Sequence, residues 1–340
     1  MPVPAAENST LIANDTKKVN CTTPFTTGKL DITENQRSSL FCIDLLILLF
    51  NMVANFSAIY ALLHSQHIKR KPSMMLLLAL CFSDCCFSIF AQILFAIKIF
   101  NPELPCIYDL TFEFLSTVLA DLSLCLVVLI AISRYIHTRH MIRVKVIITR
   151  ARVRLSIFAS FILASIVSSV TVFSNTYGDA DLYLRTEIIH TFIGVTIIMM
   201  VVIIYRKTEE IAKRRKAALT SSEFHYTHYS QKVLRKIMLS TLCTLLPLRI
   251  PFFSSTVYKA LISEKQGKRL TWWMQYTHLG CYAIFCLSAG ANAVIFLYNN
   301  KTARKVIRFQ LEVFLANITL SRKGMWLRKL HYLSIKNRIQ

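Results

Sequence analysis

The sequence predicts an all-α membrane protein, a bundle of seven transmembrane helices. Three observations predict it: seven long apolar stretches, a low content of charge, and basic residues gathered in alternate connections. A run of about 18 or more apolar residues spans a bilayer as a helix. Such runs occupy roughly 39–64, 73–99, 107–136, 154–174, 186–205, 236–261 and 272–298, numbered spans 1 to 7. Apolar residues make up 54% of the chain and charged residues 17%, against about 25% charged in ordinary soluble domains. A soluble helix carries an apolar stripe on one face, whereas the run from Leu122 to Ile132 reads as apolar all round. The chain therefore divides into an extracellular tail (1–38), the bundle (39–300) and a cytoplasmic segment (301–340).

Charge sets the orientation. The net charge is +22, yet its distribution points to the membrane surface and not to nucleic acid. Lys69, Arg70 and Lys71 follow span 1; Arg139, Arg143, Lys145, Arg150, Arg152 and Arg154 follow span 3. Lys213, Arg214, Arg215 and Lys216 follow span 5, and Lys301, Arg304, Lys305 and Arg308 follow span 7. These connections share one side, and positive charge marks it as cytoplasmic. Lys259, Lys265, Lys268 and Arg269, in the last outer loop, are a dissenting minority.

The N-terminus is then extracellular, and the plasma membrane is the expected location. Asn8, Asn14 and Asn20 each head an Asn-x-Ser/Thr sequon, the acceptor for glycosylation in a lumenal chain. The tail shows no apolar core of a cleavable signal peptide, so span 1 is expected to act as a signal-anchor. Most cysteines fall within spans. Cys21 and Cys106 are clearly in the oxidising outer region. They form a disulfide in one reading; in the other they are unpaired or differently paired.

Polar residues inside a membrane are expensive and each asks for a reason. Asn55 lies mid-span 1, Asp84 mid-span 2, Ser123 in span 3 and Asn292 in span 7. Arg134 lies at the cytoplasmic end of span 3 in Ser133-Arg134-Tyr135, and Tyr205 closes span 5. Pro247 lies mid-span 6, where it kinks the helix. This order resembles the rhodopsin-like G-protein-coupled receptors over about residues 39–315. The resemblance rests on Asn55, on Leu78-Ala79 with Asp84, on Ser133-Arg134-Tyr135, on Thr244 to Pro247, and on Asn292 to Phe296. Lys301 to Phe309 looks like the family's short amphipathic eighth helix.

The resemblance implies a receptor, not an enzyme, that passes ligand binding to a heterotrimeric G protein. Arg134, Tyr135 and Tyr205 take the places of the family's coupling residues. Asp84, Ser123 and Asn292 take the places of its sodium site, and a carboxylate with hydroxyl and amide oxygens suits a hard cation. The alternative is a hydrated polar network with Asp84 protonated. Several activation positions depart from the family: Ser133 replaces the acid before the arginine, Leu245 the helix 6 tryptophan, and Ala293 and Phe296 the proline and tyrosine of the last motif. Thr227, where a capping acid is expected, is not acidic either.

The outer half of the bundle is the default ligand site. Helical spacing puts Glu113, Ser116 and Ala120 on one face of span 3. His190, Arg249, Phe252, His278 and Tyr282 are expected to join them. Ser116 stands where the family's amine receptors carry an aspartate, which argues against an amine ligand; Cys286 stands where opsins carry the retinal lysine. Arg249 needs an anion at its depth: Glu113, Asp121 or a ligand carboxylate serves, unless it snorkels or pairs internally.

Two other classes compete. A seven-helix zinc hydrolase needs histidines and an aspartate at one end of the bundle. The pairs His64/His67, His137/His140 and His225/His228 straddle loops instead, and Asp84 lies mid-membrane. A transporter or channel often carries repeated halves with Gly/Pro-broken helices, and this chain has 7 Gly, 8 Pro and no visible repeat.

Overall fold

The computed structural model describes residues 33–64, 72–101, 105–140, 143–177, 180–218 and 272–320, with Ser254. Asn8, Asn14, Asn20 and Cys21 lie outside the described residues, as do Thr227, Pro247, Arg249 and Phe252. All the described secondary structure is helical. In chain order the elements are α1 (Glu34–His64), α2 (Pro72–Cys86), a π-helical turn (Phe87–Gln92), α3 (Ile93–Phe100), α4 (Cys106–Arg139), α5 (Val144–Ile147), α6 (Arg150–Tyr177), α7 (Ala180–Ala218), α8 (Trp272–Asn299) and α9 (Lys301–Leu320).

Among the described residues, six stretches of helix are long and apolar enough to cross a membrane: Glu34–His64, Pro72–Phe100, Leu110–Arg139, Arg150–Ser174, Ile188–Ile211 and Leu279–Asn299. They coincide with six of the seven stretches expected from the sequence. The remaining one, 236–261, lies outside the described residues. The helices outrun the apolar runs; α7 extends from Ala180 to Ala218, beyond the expected 186–205. Residues such as Glu209, Glu210 and Lys207 are good helix formers, so the helix continues past its apolar part.

Local chemistry sets several helix starts. Thr33 and Gln36 form a reciprocal capping box at the head of α1: the Gln36 N–H donates to Thr33 Oγ1 (3.4 Å) and the Thr33 N–H to Gln36 Oε1 (3.1 Å). Pro72 opens α2 at a position where its missing N–H costs nothing. Asn300 ends α8 and starts α9, its Oδ1 accepting the Ala303 N–H at 3.1 Å.

The burial pattern is that of a protein dissolved in lipid. Large apolar side chains face outward, Leu46 at 67% and Phe192 at 71% exposed, whereas Asn51 and Asn55 are at 0% and Asp84 at 2%. A water-soluble monomer does not expose apolar surface on this scale. Helix α4 packs against α2, α6 and α7; α1 packs against α2 and α8. Gly290 lets α1 and α8 approach closely: a Cβ there would lie 2.5 Å from Asn51 Oδ1 and 2.6 Å from Phe50 Cε1. Helix α9 seats Ala303 and Ile307 against the apolar cluster of Ala54, Ala58 and Phe296.

Candidate functional site

Two polar layers run through the bundle. In the first, Asp84 of α2, Ser123 of α4, and Ser288 and Asn292 of α8 are all buried. Asn292 Nδ2 donates to Asp84 Oδ2 at 3.1 Å. Ser88 donates to the Asp84 carbonyl at 3.0 Å, the local back-bonding by which a hydroxyl satisfies itself inside a helix. Of the three residues expected to hold sodium, Asp84 and Asn292 are thus in direct contact, and Ser123 is buried on the adjoining helix. Asn292 presents its N–H to the carboxylate in this arrangement; the Asp84 carboxylate and the Ser123 hydroxyl are the oxygen donors of the kind a hard monovalent ion takes.

The second layer is absent from the sequence expectations apart from Asn55. Asp44, Asn51 and Asn55 follow one another at i, i+7 and i+11 along α1, so they share one face. Asn51 Nδ2 donates to Gln92 Oε1 (3.1 Å) and to the Cys286 carbonyl (3.0 Å). Gln92 Nε2 donates to Asp44 Oδ1 and to the Asp44 carbonyl, both at 3.1 Å. Asn55 Nδ2 donates to the carbonyls of Asn51 (3.0 Å) and Ala289 (3.2 Å). Three polar residues on one face of an apolar span were the available signal. Gln92 is also polar within an apolar span, but its partner was hidden, because it ends the π-helical turn and its facing depends on that turn.

The expected outer ligand set is divided. Glu113 is buried; its carbonyl accepts the Ser116 hydroxyl (3.0 Å) and the Thr117 hydroxyl (2.8 Å). Ala120 packs on the apolar cluster that holds Phe112 and Tyr282. Tyr282, expected to line an open site, is 2% exposed. Its ring lies 4.3 Å from Phe95, 5.9 Å from Phe112 and 6.1 Å from Phe285, centroid to centroid. Burial among three aromatic rings outweighs access at this position. His190 reaches Asp121 on α4 instead: its Nε2 lies 3.0 Å from each carboxylate oxygen. Asp121, weighed in the sequence as a partner for Arg249, is held by His190. The His278 side chain, like Arg249 and Phe252, is outside the described residues, and so is that of Cys106.

Towards the C-terminal end of α4, Ser133 is buried and its hydroxyl has no hydrogen-bond partner among the described residues. Among the same residues the Arg134 side chain has none either, and its carbonyl accepts the Thr138 hydroxyl at 3.1 Å. Tyr135 is engaged one turn on: Arg139 donates to its hydroxyl at 2.8 Å. Tyr205 of α7 is partly buried in the apolar cluster containing Ala131 and Val201.

No protein-family model and no curated protein matches the chain. The polar groups so placed are a buried carboxylate–amide pair between α2 and α8, a histidine–carboxylate bridge between α4 and α7, and an arginine near the end of α4.

Proposed function

We propose that the chain is a seven-helix receptor of the rhodopsin-like, G-protein-coupled kind, with its N-terminus outside the plasma membrane and glycosylated. An extracellular ligand binds in the outer half of the bundle, and the inner end around Arg134 activates a heterotrimeric G protein. The observation that carries the reading is the 3.1 Å hydrogen bond from Asn292 to Asp84. It joins two polar landmarks on which the resemblance rests, in the core of a bundle whose outside is apolar. The Asn55 amide on the Ala289 carbonyl ties a third landmark to the same helix.

In this reading sodium sits on Asp84 with Ser123 and Asn292 and holds the resting state. Span 6 pivots at Pro247, the inner end opens, and Arg134 meets the G protein with Tyr135 and Tyr205 in support. Ligand contacts come from Glu113, Ser116 and Ala120 on the described helices, with His190 acting through its bridge to Asp121 and Tyr282 packed in the core. Arg249, Phe252 and His278 complete the set. The absence of an acid at position 133 leaves Arg134 lightly restrained, which favours signalling without ligand. Nucleotide exchange on a panel of heterotrimeric G proteins, in membranes carrying the wild type and Arg134→Ala, tests it.

A further inference from the structure

Among the described residues, the layer around Asp44 holds a buried carboxyl group with no cation paired to it. Asp44 is 1% exposed and lies within an apolar span. Its Oδ1 accepts one hydrogen bond from a neutral amide, Gln92 Nε2, at 3.1 Å. Its Oδ2 has no partner among the described residues. Two more oxygens of the same layer, Asn51 Oδ1 and Asn55 Oδ1, are also buried without partners. Every unpaired polar atom of these three side chains is thus an acceptor. Turning an amide round does not cure this: Asn51 Nδ2 and Asn55 Nδ2 already face carbonyl oxygens, so a turned amide would set oxygen against oxygen.

The described groups around Asp44 offer no cation. From α8, Tyr282 and Cys286 lie within its electrostatic reach. From the π-helical turn, only the neutral Gln92 faces it. Lys98, on α3, and Arg37, two turns earlier on α1, make no ion pair with it. A π turn holds an extra residue, which rotates the downstream residues by about 100° round the helix axis. Such turns are frequent at functional sites, and this one ends on Gln92, which donates to Asp44.

We propose that the Asp44–Gln92–Asn51 layer is a binding site for one positive charge, a proton or an alkali-metal ion, carried on the free oxygen of Asp44. The charge neutralises an aspartate that lipid and protein otherwise leave alone, and it locks α1 to the π-helical turn and α8. The site is separate from the Asp84 pair and does not depend on coupling to a G protein.

The test uses the full chain, purified with Asp84→Asn so that the other ion site is silent. Its melting temperature is followed against pH in choline chloride, and at neutral pH against added NaCl and KCl. A folded state that binds the charge more tightly than the unfolded chain gains stability as that charge becomes more abundant. If the proton is the occupant, the melting temperature rises as pH falls, whatever the salt. If the ion is the occupant, it rises with NaCl or KCl over choline. The expected shift is about 2–4 °C or more in one arm, and adding Asp44→Asn abolishes it. Identical responses with and without Asp44→Asn overturn the proposal. Infrared spectra of the Asp84→Asn chain with isotope-labelled aspartate read Asp44 without altering it. A buried protonated carboxyl band, or carboxylate bands that move when sodium replaces potassium, supports the site. An ionised carboxylate indifferent to the cation overturns it.

Discussion

Asn292 donates a 3.1 Å hydrogen bond to Asp84 across a sequence separation of 208 residues. Asn292 lies on α8, whose Cys286 and Ala289 carbonyls also accept from Asn51 and Asn55, so α8 takes part in both polar layers of the bundle. An intramembrane carboxylate marks a functional site more often than a structural one.

If sodium occupies the Asp84 site, NaCl raises the melting temperature of the purified wild-type chain more than KCl or choline chloride does. Asp84→Asn removes that difference. Equal effects of the three salts on the wild type leave a polar network without an ion.

Gly290 and Gly280 are a matched pair on α8. A Cβ at Gly290 would lie 2.5 Å from Asn51 Oδ1, on a hydrogen-bonded side chain with little room to move, whereas one at Gly280 meets nothing within 4 Å. Gly290→Ala is expected to destabilise the bundle by about 1–3 kcal/mol through overpacking. Gly280→Ala is expected to be neutral or stabilising, because alanine favours helix over glycine by up to about 1 kcal/mol. Thermal melts of the two variants side by side check this. A Gly290→Ala chain as stable as Gly280→Ala contradicts the close approach of α1 and α8.

His190 and Asp121 clamp α7 to α4 at 3.0 Å with both side chains largely buried. A double-mutant cycle of Asp121→Asn, His190→Asn and the pair is expected to show a coupling of about 0.5–3 kcal/mol. Additive single effects mean that the contact contributes nothing of its own.

Topology is tested by Asn8, Asn14 and Asn20. Replacing all three with Gln should lower the apparent mass to that of the enzymatically deglycosylated wild type. A wild type that never shifts on glycosidase treatment contradicts an external tail.

The helices were legible because lipid imposes a simple rule: long apolar runs, seen in 73–99 and 272–298, cover the helices Pro72–Phe100 and Trp272–Asn299. Asp84 and Asn292 were legible for the same reason, since a polar residue in an apolar run stands out and needs a partner. Gln92 stands out in its apolar run by the same rule, but its facing does not: that is set by the π-helical turn from Phe87, and hydrophobic periodicity carries no trace of one extra residue. The bridge from His190 to Asp121 depends on the depth at which α7 sits beside α4, which no local pattern encodes. Tyr282 reads from its sequence as a ligand contact, and its aromatic neighbours on other helices, which no local pattern encodes, pack it into the core.

The central claim is that Arg134 is an output switch, and nucleotide exchange on G proteins tests it most directly. Ser133 supplies no acid to hold Arg134, and one missing charge-assisted hydrogen bond is worth about 1.5–3 kcal/mol, or about 10- to 100-fold in the resting–active equilibrium. Leu245 and Phe296, where rhodopsin-like receptors carry a tryptophan and a tyrosine, would act against this, but the lost restraint is expected to dominate. At matched surface expression, the account predicts measurable exchange by the wild type without ligand, a lower rate for Ser133→Asp and nearly none for Arg134→Ala. A silent wild type, unchanged by Ser133→Asp, would contradict it.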